Sequence, residues 1–143
     1  MNPILIIHGA GMDMRGKAQI ETFGPMTLPE YDAAIEAYAT ALDVQIDIFH
    51  SNIEGEVINR LYRAHDQDMG GAIINPAGFT VGYPALCAAI GQVSFPVFEL
   101  HISNPALRGR ISDVGMSTKG VISGFGIVGY RLAIQGLKSL AEN

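Results

Sequence analysis

The chain is poor in cysteine and in charge, and each shortage excludes a class of protein. A single cysteine, Cys87, rules out an internal disulfide. Charged residues make up only 16% of the 143 residues, below the roughly 25% of an average globular domain. The 9 basic residues are outnumbered by 14 acidic ones, for a net charge of -5. This balance argues against a nucleic-acid partner, because phosphate binding requires a surplus of Lys and Arg.

Long apolar runs are also absent. None approaches the roughly 18–20 residues of a membrane span, and the start of the chain lacks the basic segment of a signal peptide. We therefore expect a cytoplasmic protein without a membrane partner. Its length suits one domain over residues 1–143. Hydrophobic residues reach 48%, so we expect part of the surface to be covered in a homo-oligomer.

Five short apolar segments alternate with segments of helical periodicity. The predicted strands are Ile4–Ile7, 44–49, Gly71–Ile74, 96–100 and Gly120–Ser123. Helices are predicted from Leu28 after a Thr27 cap, from Ile53 after a Ser51 or Asn52 cap, over Pro84–Ile90 and over 126–141. Asn75-Pro76 is expected to end the third strand. This alternation predicts an α/β fold of the flavodoxin-like type, in which three layers contain a five-stranded parallel doubly wound sheet.

Ligands of such sheets bind beyond the carboxyl ends of the strands. Three histidines, His8, His50 and His101, follow predicted strands, so an acid–base site at this edge is plausible. Glu99 and His101 point to the same side of their strand, which lets the carboxylate orient the imidazole; an ordinary polar strand end is the plainer alternative. The glycine-rich segment 8–16 lacks the third glycine of a dinucleotide motif, and the histidine spacing predicts no metal site.

Several segments together resemble the type II 3-dehydroquinate dehydratases (type II dehydroquinases) over essentially the whole chain. The matching stretches are Ile4–Gly9, Phe49–Glu56, Ile73–Thr80, Ser94–Asn104 and Gly120–Ala133. The resemblance implies a flavodoxin-like subunit in a dodecamer of four trimers. It also implies loss of water from 3-dehydroquinate through an enolate-type intermediate, without a cofactor.

The resemblance assigns roles to one half of a site. Asn75 matches the asparagine that binds the substrate carboxylate, and the backbone amides of Ile102 and Ser103 match its other donors. His101 matches the general acid that protonates the departing hydroxyl, and Glu99 matches the residue that orients it.

The other half departs from the family pattern. The lid arginine is replaced by Ala18, the tyrosine base by Phe23, a ring-recognising histidine by Val81 and a late arginine by Ser112. Phenylalanine cannot accept a proton, so a positioned base worth roughly 10²–10⁴-fold is missing. The residues available as stand-ins are Arg15, Tyr83, His8 and Asp13.

We therefore expect a lyase that eliminates water from a small carboxylic acid, with 3-dehydroquinate as the default substrate and a different acid as a close second. A catalytically silent protein of the same fold, binding a carboxylate metabolite or serving in an assembly, is the competing hypothesis. Either way the expected partner is a small carboxylate, and no cofactor or metal is expected.

Overall fold

The computed structural model describes residues 1–143 and contains one parallel five-stranded sheet between two layers of helices. The α/β prediction is confirmed. Along the chain the elements are β1 (Ile4–Ala10), α1 (Ile20–Phe23), α2 (Leu28–Ala41), β2 (Ile46–His50), α3 (Glu54–Asp66), β3 (Gly71–Ala77), α4 (Pro84–Gln92), β4 (Val97–His101), β5 (Gly120–Ser123) and α5 (Val128–Glu142).

The strands lie in the order β2-β1-β3-β4-β5, as in flavodoxin-like folds. Alternate residues of β1 explain the two layers, since successive side chains of a strand face opposite sides. Leu5 and Ile7 belong to the core under α3 and α4, whereas Ile4 and Ile6 belong to the core under α2 and α5. The chain switches direction across the sheet between β1 and β3, where His8 is level with Asn75.

Local rules explain the α2 boundary and fail at α3. Thr27 and Glu30 form a reciprocal capping box at the start of α2. The prediction that Ser51 or Asn52 caps α3 is wrong, because Ile53 occupies the cap position without a side-chain bond. Ile53 is also 61% exposed and so does not lie on the buried face of that helix. The Ser51 hydroxyl instead bonds Glu56, at 2.9 Å.

The predicted end of β3 at Asn75-Pro76 is wrong as well. The strand continues to Ala77, which is level with Ala10 of β1. The backbones of β1 and β3 lie close together at this point: a Cβ added to Gly9 would lie 2.2 Å from the Pro76 carbonyl oxygen. The extension carries Asn75 and Ala77 into the carboxyl edge of the sheet. No helix of the fold combines the length and apolar character needed to cross a bilayer.

Candidate functional site

A cavity of about 380 Å³ opens beyond the carboxyl ends of β1, β3 and β4. This is the edge at which open α/β sheets bind ligands. One wall is formed by residues at or just past the strand ends, Asn75, His101, Ile102 and Ser103. The opposite wall comes from the segment between β1 and α2, which includes Arg15, Ala18 and Phe23. A larger cavity lies at the other end of the strands, near Pro3 and Gln45, and none of these strand-end residues lines it.

An acid–base pair lies at the end of β4. His101 Nε2 is 2.9 Å from Glu99 Oε1, and both side chains are at least nine-tenths buried. The Ser112 hydroxyl donates to the other carboxylate oxygen of Glu99 at 2.5 Å. The remaining ring nitrogen of His101, Nδ1, has no hydrogen bond within the protein. The carboxylate therefore fixes the ring and leaves one nitrogen available to a ligand.

Hydrogen-bond donors without protein partners line the same wall. Asn75 is 3% exposed, and its Oδ1 accepts from the Ala77 amide at 3.2 Å. That bond orients the side chain, and its NH₂ group, which lies beside the Tyr130 phenol, keeps an N–H available as a donor. The backbone amides of Ile102 and Ser103, just past β4, also make no hydrogen bond within the protein. A carboxylate accepts several such bonds, so this wall has the donors of an anion site.

The opposite wall holds a guanidinium on an aromatic ring. The Cζ atom of Arg15 lies 3.7 Å from the centre of the Phe23 ring, a cation–π contact. Arg15 is 8% exposed, and its buried Nε has no hydrogen-bond partner. Burial lowers the pKa of the Arg15 guanidinium, because desolvation penalises its charge. Phe23 and Ala18 both line the cavity, so the positions that lack the expected tyrosine and arginine do face the site.

The structure separates the four candidate stand-ins. Only Arg15 lines the cavity. His8 is fully buried below it and contacts Asp32 of α2 at 2.7 Å. Asp13 turns towards the end of β2, where it accepts from Asn52 at 3.1 Å. Tyr83 precedes α4 and packs edge-on against Phe79, with ring centres 4.9 Å apart.

The expectation of a three-histidine edge holds for only one of the three. His101 lines the cavity, His8 is buried beneath it, and His50 is the last residue of β2, with its Nε2 3.8 Å from Asp13. Apart from arginines, His101 is the only ionisable side chain lining the cavity. Val81 is 54% exposed and does not line it. No group of three or more His, Cys, Asp or Glu side chains has an arrangement suited to a metal ion.

Sequence reasoning missed two cavity residues, Arg108 and Arg110. Both guanidinium Nη atoms of Arg108 donate to the Ser103 hydroxyl at 3.2 Å. Their position in the sequence could have indicated them. Both arginines follow the Glu99–Ser103 segment within a few residues, in a chain with only 9 basic residues.

Comparisons with known proteins agree with the geometry. The family model described as dehydroquinase class II matches residues 2–138. A 3-dehydroquinate dehydratase of Caldanaerobacter subterraneus is 38% identical over 100% of this chain and 98% of its own length. One from Helicobacter hepaticus is 35% identical over 97% and 90%, respectively. The crystal structure of a type II dehydroquinase from Butyrivibrio crossotus superimposes with a TM-score of 0.90 at 28% identity, covering 96% of this chain and 97% of that one. A second, from Propionibacterium acnes, gives 0.87 at 27% identity, covering 100% and 98%.

Proposed function

The chain belongs to the dehydroquinase class II family, and on that premise we propose that it is a hydro-lyase that eliminates water from a small carboxylic acid. The observation that carries this proposal is the buried Glu99–His101 pair, whose free Nδ1 shares a cavity with the unpartnered donors of Asn75, Ile102 and Ser103. An acid beside a carboxylate site is the arrangement that elimination of a hydroxyl from such a substrate requires.

In the proposed reaction the substrate carboxylate binds the Asn75 NH₂ group and the amides of Ile102 and Ser103. These donors are fixed by the sheet, so little ordering entropy opposes binding. His101 gives its proton to the departing hydroxyl, and Glu99 stabilises the charged imidazolium before transfer. The proton beside the substrate carbonyl passes first to a solvent water, since no side chain of the cavity is placed as its base, and the resulting enolate then expels the hydroxyl.

Two observations bear on the identity of the substrate. The relatives are named 3-dehydroquinate dehydratase, which makes 3-dehydroquinate the default. Apart from His101, which is assigned as the acid, the cavity is lined by no His, Asp, Glu, Cys, Lys or Tyr side chain that could serve as the base. Because a positioned base is worth roughly 10²–10⁴-fold, we propose that 3-dehydroquinate is converted far more slowly than the ~10 s⁻¹ of a typical enzyme, and that another small acid is the better substrate.

Formation of the conjugated enone from 3-dehydroquinate, followed by ultraviolet absorbance, tests the proposal. We expect slow conversion that is abolished in His101→Asn and retained in His65→Asn, a control on the exposed side of α3. Turnover near the typical rate would show that a base outside the described cavity acts. Conversion that is insensitive to His101→Asn would refute the assignment of the acid.

A silent carboxylate-binding protein is the second candidate, and Phe23 in the place of a base favours it. A thermal-shift screen and an activity screen separate the two candidates. Both candidates bind small carboxylates and are stabilised by them, since a ligand at 100 times its Kd adds about 2.7 kcal/mol to stability. Only the silent protein converts none of them in a screen of hydroxy acids.

We also propose that the subunit forms a closed homo-oligomer, with the dodecamer of four trimers as the default. Four large apolar side chains between the end of β4 and the start of α5 are exposed: Leu107 by 85%, Ile111 by 77%, Met116 by 74% and Phe125 by 62%. Burial of these side chains against another subunit would remove apolar area from water. Light scattering is expected to give a multiple of the 15.3 kDa subunit; the mass of one subunit would refute the proposal.

A further inference from the structure

Arg15 is a buried cation without a counter-charge. The chain's other buried arginine, Arg60, is 4% exposed and pairs with Asp47 at 2.6 Å. Arg15 is 8% exposed, no carboxylate lies within ion-pair distance of it, and its Nε has no hydrogen-bond partner. A guanidinium stays charged in proteins, and an unpaired buried charge is costly. The cost is recovered if a ligand supplies the anion.

The neighbours of Arg15 do not supply this anion. The ionisable groups that face it are the Tyr31 and Tyr130 phenols, whose pKa values burial raises further, so both are neutral near pH 7. The Phe23 ring covers one face of the guanidinium. The Tyr31 phenol is hydrogen-bonded at its edge, while Nε has no partner and further N–H groups remain for a ligand. These N–H groups form the fork that binds a carboxylate with two parallel hydrogen bonds.

The side chains that line the cavity have an excess of positive charge, which suits a ligand with more than one negative charge. Three arginines, Arg15, Arg108 and Arg110, line it together with His101, and no Asp or Glu does. The donors form two sets on opposite walls. Asn75, Ile102 and Ser103 already provide enough donors for one carboxylate, so Arg15 on the facing wall is left over for another group.

We propose that the ligand of this site is a small dicarboxylic acid, with one carboxylate bound by Asn75, Ile102 and Ser103 and the second bound by Arg15. The inference rests on the carboxylate site of the proposed function and adds the second charge. It also gives Phe23 a role, since a flat ring supports the guanidinium that receives this second carboxylate.

The matched ligands for a test are dicarboxylates and their monomethyl esters, which keep the shape and lose one charge. Calorimetric titration with succinate, glutarate and adipate, each against its monomethyl ester, measures what the second charge contributes. For at least one chain length we expect the diacid to bind tenfold or more tightly than its ester. Equal affinities for all three pairs would overturn the inference.

Variants assign the difference to Arg15. In Arg15→Met the preference for the diacid is expected to fall below about twofold, while monoester binding stays unchanged. Arg15→Lys should restore part of the preference, and Lys17→Met, which removes a neighbouring exposed charge, should keep all of it. An unchanged preference in Arg15→Met would refute the pairing. If this variant does not fold, the wild-type comparison of diacid with ester still decides.

A stability measurement separates binding from a structural role. Without ligand, Arg15→Met is expected to have a higher melting temperature than the parent, because the variant no longer buries an unpaired charge. A lower melting temperature would mean that Arg15 supports the fold, against the inference. Failure of the proposed function looks different: in that case neither diacid nor ester binding changes in Asn75→Ala.

Discussion

Replacing Asn75 by Ala tests whether this side chain is a ligand donor or only the end of a strand. The structure fixes its orientation: Oδ1 accepts from the Ala77 amide at 3.2 Å, and the NH₂ group is left over. A hydrogen bond to a charged group is worth roughly 1.5–3 kcal/mol. Asn75→Ala should therefore weaken binding of a small monocarboxylate by about 10- to 150-fold, measured by calorimetric titration.

Asn104 provides the matched control. Its Oδ1 also accepts from the amide two residues later, that of Ala106, at 3.2 Å. Asn104 does not line the 380 Å³ cavity. Asn104→Ala therefore removes the same kind of local bond but no ligand donor, and its affinity should match that of the parent. Asn75→Asp keeps the acceptor and repels the ligand, so it should bind still more weakly than Asn75→Ala.

One pattern of results would refute this reasoning. If Asn75→Ala and Asn104→Ala bind the carboxylate as tightly as the parent, the Asn75 amide is not a donor to the ligand. Equal losses in both variants would instead show that disturbing the strand-end turns causes the effect. Thermal melting of each variant, measured alongside, separates loss of affinity from loss of fold.

Three further outcomes are expected. Phe23→Tyr should raise turnover of 3-dehydroquinate by less than about tenfold, since groups that act as a unit are not additive and Ala18 remains in the place of the arginine; a larger rescue would contradict this. Above about pH 10, stability to urea should fall by up to about 1.4 kcal/mol per pH unit for each buried phenol, because burial raises the folded pKa of Tyr130 and the unfolded chain ionises first. Tyr130→Phe should reduce this slope and Tyr62→Phe, at an exposed phenol, should not. Gly9→Ala should destabilise the fold by about 1–3 kcal/mol or more, whereas Gly55→Ala, with nothing within 4 Å of the new Cβ, should stabilise α3 by up to about 1 kcal/mol; equal melting temperatures would refute the close approach at Gly9.

The elements of the fold were predictable because their signals are local. The run Ile4–Ile7 is apolar on both faces, as a central strand must be, and Thr27 with Glu30 forms the capping box that starts α2. The end of β3 was not predictable by the same means. Whether a proline can stay in a strand depends on the neighbouring strand, and the approach of Gly9 to Pro76 is visible only in three dimensions.

The same distinction holds for the site: contacts within one strand were predictable from the sequence, and contacts between layers were not. Glu99 and His101 are two residues apart on one strand, so their contact at 2.9 Å followed from alternation. The positions of three other side chains depend on the layer of the fold in which each one packs. These are His8, Asp13 and Tyr83. His8 shares the face of Ile4 and Ile6 and therefore points at α2, where Asp32 receives it. That face could be assigned only after the helices were placed on the sheet.

Arg15 shows why a substituted motif does not amount to a lost charge. The family resemblance implies an arginine where this chain has Ala18, yet Arg15 lies only three residues earlier and lines the same cavity. An arginine side chain is long enough for its head group to be supplied from a neighbouring turn. The charge is supplied again, and it lies over the Phe23 ring, at the position where the family resemblance implies a tyrosine. If Arg15 binds the second carboxylate as proposed, the substitution at position 23 changes which ligand fits as well as how fast it reacts.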